Sequence, residues 1–340
     1  MAACLIVAWP FAALADGPLR VATYNTELER KGPGLLLRDI AKGDDPQVKA
    51  VIKVIKAADA DILVLQNIDY DLTGAALEQL VRRLDDYPYS FARLPNTGMG
   101  TGLDMDGDGR LGGPRDAQGY GRFSGQGGMA ILSRYPIVEA KVQDFSELLW
   151  TDIPGALLPE VDGAPFPSAE AVAAQRLSST AHWVVPIETP LGVVHLLTFH
   201  ATPPVFDGPE DRNGRRNHDE IIFWQQYLDG AYGDAPTDRF IVIGDANLDP
   251  LDGDGLKPAI RSLLRDPRLQ DPSPTGAAGT DTADWSDPSP GNLRVGYILP
   301  SADWKVVDRS VMWPWPDDAF WDVVQEASRH RLVWVDLNKG

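Results

Sequence analysis

The sequence predicts an α/β (α+β) sandwich, with central β-sheets and helices outside them. Three observations predict this class: apolar runs of strand length recur along the chain, few helical patterns separate them, and several runs end in a polar cluster. A length of 340 residues is enough to bury one large core. Because the chain has no internal repeat and no long linker, we expect a single domain.

The predicted elements follow the hydrophobic pattern. Residues 47–60 form a helix because their apolar residues recur every three to four positions, and the continuous apolar run 61–66 is typical of a strand buried on both faces. The Gly- and Asp-rich residues 95–128 form a long loop, and residues 151–170 form a Pro-rich excursion. The other predicted helices are 75–86 and 215–230, and the other predicted strands are 19–25, 129–133, 181–187, 193–199, 240–243, 293–299 and 332–337.

The first fifteen residues are typical of a secretory signal peptide. An apolar run at 4–15 ends in the small-residue sequence Ala-Leu-Ala at 13–15, although no Lys or Arg precedes it. The alternative is a buried N-terminal strand or helix. We therefore expect a secreted or periplasmic bacterial protein whose single domain spans residues 19–337. No later run reaches the length of a membrane span, so we expect no stable membrane insertion, and we expect a monomer.

Cysteine usage and net charge exclude some functions. The only cysteine, Cys4, lies inside the predicted signal peptide, so cysteine and zinc-thiolate mechanisms are excluded for the mature chain. The formal net charge is −18, and nucleic-acid affinity comes largely from Lys and Arg. This charge favours a small phosphate ester or a phospholipid head group as the substrate, and a nucleic acid stays possible.

Polar residues lie at one end of five of the predicted strands. Apolar strands that end in Asn, Asp and His place a site on a rigid scaffold. The alternative for Asp245 and Asn247 is an ordinary turn after a strand, and for each histidine a structural hydrogen bond. The five groups are residues 24–27, 66–71, 199–204, 244–247 and 328–331.

Taken in order, these segments resemble the endonuclease/exonuclease/phosphatase superfamily, the family of deoxyribonuclease I. The resemblance implies a deoxyribonuclease I-like four-layer sandwich of two packed mixed sheets flanked by helices. It also implies hydrolysis of a P–O bond by an activated water with the help of Mg²⁺ or Mn²⁺. The segments that resemble family motifs are residues 19–25, 61–67, 127–136, His200, residues 244–247 (the GD-x-N motif), residues 294–301 and His330.

The resemblance also implies roles for individual residues. Asp245 would orient or deprotonate the attacking water, and Asn247 would hold a phosphoryl oxygen. His330 would contact the phosphate, and His200 would serve as general acid or phosphate donor. Two further residues complete the implied site, namely Asn25 in the metal shell and Arg176 as an arginine that faces the phosphate.

Three positions depart from the family pattern. Asn67 stands where the family has a metal-binding Glu, and its amide is a weaker cation ligand than a carboxylate. Asp69 points to the same side of an extended strand and could substitute as the metal ligand, with Asp71 as the second candidate. Gly296 and Arg329 stand where the family has Asp, and neither can fix or charge the C-terminal histidine as a carboxylate would.

The sequence therefore supports three hypotheses of function. The leading hypothesis is an exported metal-dependent phosphoesterase, and the match at His200 favours a diester as its substrate. The second is a catalytically impaired member that binds a phosphorylated ligand without turnover, because of the changes at Asn67, Gly296 and Arg329. The third is a secreted nuclease.

An acidic loop forms a second candidate cation site. Asp104, Asp106 and Asp108 have the D-x-D-G-D-G spacing that begins an EF-hand calcium loop, but Arg115 stands where that loop has its Glu. We expect Ca²⁺ in this 104–116 loop, and the alternative is a solvated acidic turn.

Three arginines, Arg212, Arg215 and Arg216, follow His200 in this acidic chain. They either bind an anionic substrate beside the site or pair with neighbouring carboxylates.

Overall fold

The computed structural model describes residues 17–340, so the predicted signal peptide and Cys4 lie outside the described residues. The described elements run from Leu19 to Lys339. The helices are α1 Leu35–Lys42, α2 Pro46–Ala58, α3 Ala75–Leu84, α4 Ala169–Ala174, α5 Arg212–Leu228, α6 Pro258–Leu264 and α7 Trp321–Ala327. The strands are β1 Leu19–Leu28, β2 Ile62–Ile68, β3 Tyr89–Phe91, β4 Gly128–Ser133, β5 Gln143–Asp144, β6 Glu160–Val161, β7 Ala164–Pro165, β8 His182–Thr189, β9 Gly192–His200, β10 Phe240–Asp245, β11 Ala283–Asp284, β12 Asn292–Leu293, β13 Gly296–Pro300, β14 Trp304–Val311 and β15 Val333–Lys339.

Two large mixed sheets form the centre of the molecule. The first has the strand order β14-β15-β1-β2-β4-β3, and the second has the order β13-β10-β9-β8-β5. One parallel pair lies near the middle of each sheet: β1 with β2, and β9 with β10. The neighbouring pairs are antiparallel.

The two sheets pack face to face through an apolar core. Because successive side chains of a strand point to opposite faces, only alternate residues of each strand enter this core. In β1, Val21 faces the second sheet, whereas Ala22 faces the helices. On the opposite sheet Leu196 of β9 and Ile241 of β10 complete the contact.

Helices cover the outer face of each sheet. The helices α1, α2, α3 and α7 cover the first sheet, and α5 and α6 cover the second. Each helix buries one apolar stripe, as α2 does with Val51 and Ile55. This arrangement confirms the predicted four-layer α/β sandwich. Within residues 17–340, no helix combines the length and the apolar character needed to cross a bilayer.

Local signals set the ends of the best-predicted helix. The Asp45 side chain accepts the backbone N–H of Val48, and Pro46 occupies the first turn, where its missing N–H does no harm. The helix ends at Ala58 because Asp59 adopts a left-handed backbone conformation, with φ 50°. The predicted end at residue 60 was therefore two residues too late.

The structure corrects other parts of the strand and helix prediction. The predicted strand 293–299 is split, because the Arg294 N–H bonds to the side chain of Asp249 and the Val295 N–H to that of Thr282. The elements α1, α6, α7 and β14 were missed. Three of them are short helices, and β14 is an edge strand with many exposed residues, so none shows a long apolar pattern.

Gly244 allows the close approach of β10 to β9, and this predicts the effect of Gly244→Ala. An ideal Cβ at this position would lie 2.0 Å from the carbonyl oxygen of Phe199, so a backbone shift must follow. We expect Gly244→Ala to lower the free energy of unfolding by about 1–3 kcal/mol in urea denaturation. Gly100→Ala is the matched control, since a Cβ there has no neighbour within 4 Å. Equal stability of the two variants would contradict the described strand contact.

Candidate active site

The site begins where the apolar core between the sheets ends. Val21 of β1 faces the second sheet, and Asn25, four residues later, lies on the same face. Ile241 and Asp245 have the same relation in β10. The two polar residues meet there, because the amide Nδ2 of Asn25 donates a hydrogen bond of 2.7 Å to Oδ2 of Asp245.

Asp245 is a buried carboxylate with a partner for each oxygen. Its Oδ1 accepts the backbone N–H of Asn247 at 2.9 Å, in addition to the bond from Asn25 to Oδ2. Two imidazoles also face Oδ2: Nδ1 of His330 lies 3.4 Å away, and Nε2 of His200 lies 4.0 Å away. The negative charge of Asp245 therefore acts on both histidines.

Burial keeps both histidines neutral near pH 7. It lowers the pKa of His200 below its ordinary value, although the negative charge of Asp245 opposes this shift. It also lowers the pKa of His330, against the effect of Asp245 and with help from the nearby charges of Arg329 and Arg331. Neutral imidazoles can donate hydrogen bonds to an anionic group without adding charge to the site.

Asn247 holds the loop after β10 to the loop after β9. It adopts a left-handed backbone conformation, with φ 49°, which Asn tolerates better than most residues. Its Nδ2 donates to the carbonyl oxygen of Ala201 at 2.9 Å. Asn247 thus lies in a turn after a strand, which was the alternative that the sequence offered for this residue. It also lines the cavity described next.

A cavity of about 550 Å³ opens at this shared edge of the two sheets. It brings together Asn25, Asn67, His200, Asn247 and His330, which the sequence placed in the site. Its wall is largely apolar on the other side, with Pro203, Pro204, Val205, Phe206, Trp285 and Leu293. The Trp285 ring stands edge-to-face against His330, with centroids 5.3 Å apart.

Asn67 reaches the site through an irregularity of β2. In a regular strand it would face the helices, because Gln66 faces the second sheet and bonds to Thr23. Asn67 instead has φ 52°, and the register of β2 shifts there. Its Nδ2 consequently donates to Oδ1 of Asn25 at 3.0 Å.

The same irregularity moves the sequence candidates Asp69 and Asp71 away from the cavity. The two oxygens of Asp69 accept the backbone N–H groups of Gly127, at 3.0 Å, and Arg30, at 2.9 Å. Burial raises the pKa of Asp69 to about 6. Asp71 accepts backbone N–H groups at the start of α3. Neither residue lines the cavity, so the structure does not bring Asp69 or Asp71 together with the site residues that do.

Arg176 also lies outside the cavity lining. Its guanidinium donates to Oδ1 of Asn96 at 2.8 Å and to Glu147 at 3.2 Å. The structure therefore does not bring Arg176 together with the cavity residues, and its side chain instead joins the loops that carry Asn96 and Glu147.

Two glutamates that the sequence interpretation did not assign do line the cavity. Glu27 forms an ion pair with Arg329, whose Nε lies 2.8 Å from Oε1 and whose backbone N–H lies 2.8 Å from Oε2. Burial opposes ionisation of Glu27, but Arg329 outweighs it and holds the pKa of Glu27 below its ordinary value. Glu29 has a buried oxygen, Oε2, without a partner in residues 17–340. The alternating sequence Asn25, Glu27, Glu29 was the signal that could have identified them.

Gly296 lies directly beside Asp245, as its register partner in the pair of β13 with β10. A Cβ at Gly296 would meet only ordinary contacts, the nearest being Oγ1 of Thr282 at 3.6 Å. The site thus lacks a carboxylate at this position, and Asp245 itself is the carboxylate that faces His330.

The acidic loop forms a separate cluster. The carboxylate oxygens of Asp104, Asp106 and Asp108 lie within 4.8 Å of one another, and none of the three lines the cavity. Asp104 accepts the backbone N–H groups of Gly107 and Gly109, which folds the loop around its carboxylate.

Two of the three arginines of α5 bind backbone carbonyls. Arg216 is buried and donates to the carbonyl oxygen of Leu177 at 2.8 Å, and Arg212 donates to that of Met105. For Arg212 and Arg216, these contacts match neither substrate binding nor pairing with a nearby carboxylate.

Comparisons with known proteins agree with this geometry. A family model described as "Endonuclease/Exonuclease/phosphatase family" matches residues 22–330. The structure is similar to an endonuclease/exonuclease/phosphatase from Beutenbergia cavernae, with a TM-score of 0.59 and 19% identity over 95% of this chain and 72% of that one. None of the curated proteins matches the sequence.

Two further solved structures share the fold. Sphingomyelinase C from Streptomyces griseocarneus has a TM-score of 0.51 and 18% identity, over 94% of this chain and 99% of that one. A beta toxin mutant from Staphylococcus aureus with bound magnesium ions has a TM-score of 0.51 and 14% identity over the same shares. At these identities the likeness establishes the fold alone.

The position of Asp245 predicts how Asp245→Asn changes the two histidines. Because the charge of Asp245 raises both pKa values against the effect of burial, we expect the pKa of His200 and of His330 to fall further in this variant. An NMR titration of the imidazole nitrogens measures both. Asp254→Asn, at the cavity wall, is the control and should leave them unchanged. Unaltered histidine titration in Asp245→Asn would show that the three groups do not lie together.

Proposed function

Because the chain belongs to the endonuclease/exonuclease/phosphatase family, we propose that it is an exported, metal-dependent hydrolase that cleaves a phosphodiester by water attack. The observation that carries this proposal is the buried carboxylate of Asp245, which faces His200 and His330, two residues that line the cavity. A single base between two neutral hydrogen-bond donors can hold a water on one side and a phosphoryl group on the other.

The residues divide the reaction among them. Asp245 accepts a hydrogen bond from the attacking water and takes its proton as the new P–O bond forms. The P–O bond to the leaving alcohol breaks in the same displacement, and the departing oxygen takes a proton from solvent water in the open cavity. His330 and Asn247 hold the phosphoryl oxygens, which become more negative in the transition state. The lowered pKa of His200 favours a hydrogen-bond role over that of a protonated general acid, because a neutral imidazole is a weak proton source.

The cavity wall beside Asn25 fits a divalent cation. Asn25 and Asn67 lie in contact there, and a buried oxygen of Glu29 lacks a partner among the described residues. Amide and carboxylate oxygens suit hard cations such as Mg²⁺ or Mn²⁺. Such an ion, held by Asn25 and Asn67, would polarise the phosphoryl group and neutralise developing charge.

The substrate proposal rests on charge and on the cavity lining. A net charge of −18 disfavours a long nucleic acid, and the apolar side of the cavity suits a small ester or a phospholipid head group. Sphingomyelinase C shares the fold, which is consistent with this choice. A secreted nuclease is the alternative within the same chemistry.

A second candidate function is binding without turnover. Gly296 lies beside Asp245 and has no carboxylate to offer. Arg329 forms an ion pair with Glu27 at the cavity wall. Such a protein would hold a phosphorylated ligand through the same histidines and would not release a product.

Phosphodiesterase activity with matched variants tests the first proposal. With bis(p-nitrophenyl) phosphate and Mg²⁺ or Mn²⁺, we expect His200→Ala and Asp245→Ala each to lower kcat/KM by on the order of 10²–10⁴-fold. His195→Ala, on the same strand as His200, and Asp308→Ala, on an exposed edge strand, are the controls and should keep the rate within about threefold of the original protein.

The outcomes separate the two functions. Turnover that both site variants abolish supports the hydrolase. A protein that phosphate esters stabilise thermally, but that releases no nitrophenolate with any divalent metal, is the binder instead.

We also propose that the acidic loop binds Ca²⁺, on the strength of the clustered carboxylates of Asp104, Asp106 and Asp108. Ca²⁺ should raise the Tm by a few degrees, because a ligand that binds only the folded state stabilises it. The double variant Asp104→Asn/Asp108→Asn should lose this increase. The control is Asp252→Asn/Asp254→Asn, in the segment between β10 and α6. Equal Ca²⁺ responses in both double variants would refute the site.

A further inference from the structure

One carboxylate of the cavity wall lacks the partners that its neighbours have. Oε2 of Glu29 is buried and has no hydrogen-bond partner in residues 17–340. Burial raises the pKa of Glu29, and the neighbouring charge of Glu27 adds to this effect. A buried carboxylate without a donor is costly, so its retention in a cavity wall points to a cationic ligand.

The nearest positive side chains are already engaged. The guanidinium of Arg30 donates to Oδ2 of Asp39 at 3.0 Å and to Oε1 of Gln47 at 3.0 Å. Arg329 is held by Glu27 through its side chain and its backbone N–H. Neither arginine therefore makes an ion pair with Glu29.

The other acidic groups of this region are also engaged. Both oxygens of Glu27 accept hydrogen bonds from Arg329. Both oxygens of Asp69 accept backbone N–H groups, and Asp69 lies outside the cavity lining. Glu29 is the carboxylate of this group that keeps an oxygen free for a ligand.

The lack of a side chain at Gly127 lets Asn67 come close to the backbone next to Glu29. Gly127 lines the cavity with φ 59°, and a Cβ there would lie 2.9 Å from Oδ1 of Asn67 and 3.8 Å from Cβ of Glu29. The two side chains thus border one point, from different strands. Asn67 lies next to Asn25, which completes a group of three oxygen-bearing side chains.

We propose that Glu29 supplies the anionic ligand of the divalent-metal site, in place of the carboxylate that Asn67 lacks. The proposal rests on the metal dependence of the proposed function. It places the anionic metal ligand directly after β1, where the sequence predicted it after β2. The Arg329–Glu27 pair has a part in this arrangement, because it removes the competing carboxylate of the same strand.

Direct metal titration tests the proposal without an activity assay. Mn²⁺ binding to the full chain is followed by the EPR signal of the free ion. We expect Glu29→Gln to weaken Mn²⁺ binding by at least about tenfold, the size of effect that a lost metal contact gives. Glu170→Gln, at an exposed carboxylate of α4 outside the cavity lining, is the control and should bind within about threefold of the original protein. The acidic loop is the same in all variants and cancels in the comparison.

A stability measurement separates a ligand from a structural residue. Without metal, Glu29→Gln should unfold at the same or a higher urea concentration than the original chain, since it removes an unpartnered buried charge. The double variant Glu29→Gln/Asn67→Glu should regain Mn²⁺ affinity, because it returns a carboxylate to the same space. Loss of stability in metal-free Glu29→Gln, or unchanged Mn²⁺ affinity, would overturn the proposal.

The titration also distinguishes this proposal from the proposed function. If Mn²⁺ binds through Glu29 and no variant hydrolyses a phosphodiester, the metal assignment holds and the hydrolase proposal fails. If the original chain does not bind Mn²⁺, the Glu29 assignment fails together with the metal dependence.

Discussion

The face-to-face packing of two β-sheets is the constraint on which the rest of this structure depends. Alternate residues of β1 and β10 fill the apolar core between the sheets, and the same alternation continues one step beyond it into Asn25 and Asp245. The site is therefore the polar continuation of the core. The hydrogen bond between these two residues joins the sheets at the point where apolar packing stops.

The buried carboxylate at this point imposes its own requirements. An ionised group taken out of water is stable only when both oxygens find donors, and Asp245 has the amide of Asn25 and the backbone N–H of Asn247. His200 and His330 both face Oδ2 of this carboxylate, so its negative charge acts on both imidazoles. Burial keeps these imidazoles neutral, so the group around Asp245 combines its one negative charge with two hydrogen-bond donors that can face a phosphate.

Other residues of the cavity offset two of the three departures from the family pattern. Position 67 carries an amide, but Glu29 brings a carboxylate to the same wall from the neighbouring strand. Position 329 carries an arginine, and Glu27 neutralises it. Position 296 carries no side chain, and Asp245 faces His330 directly. The electrostatic character of the cavity is thus set by groups of residues and not by single motif positions.

The sequence by itself determined the layered fold, the central strands and the site residues that end regular strands, because strand periodicity is a local property of the chain. Asn25, His200, Asp245, Asn247 and His330 were identified in this way, and all but the buried Asp245 line the cavity, where Asp245 faces both histidines. Only the tertiary structure placed Glu29 in the cavity wall and Asp69 outside it, since the irregular backbone at Asn67 breaks the alternation on which the prediction relied. It likewise placed Arg176 among loops that come together only on folding, and no local pattern encodes such long-range contacts.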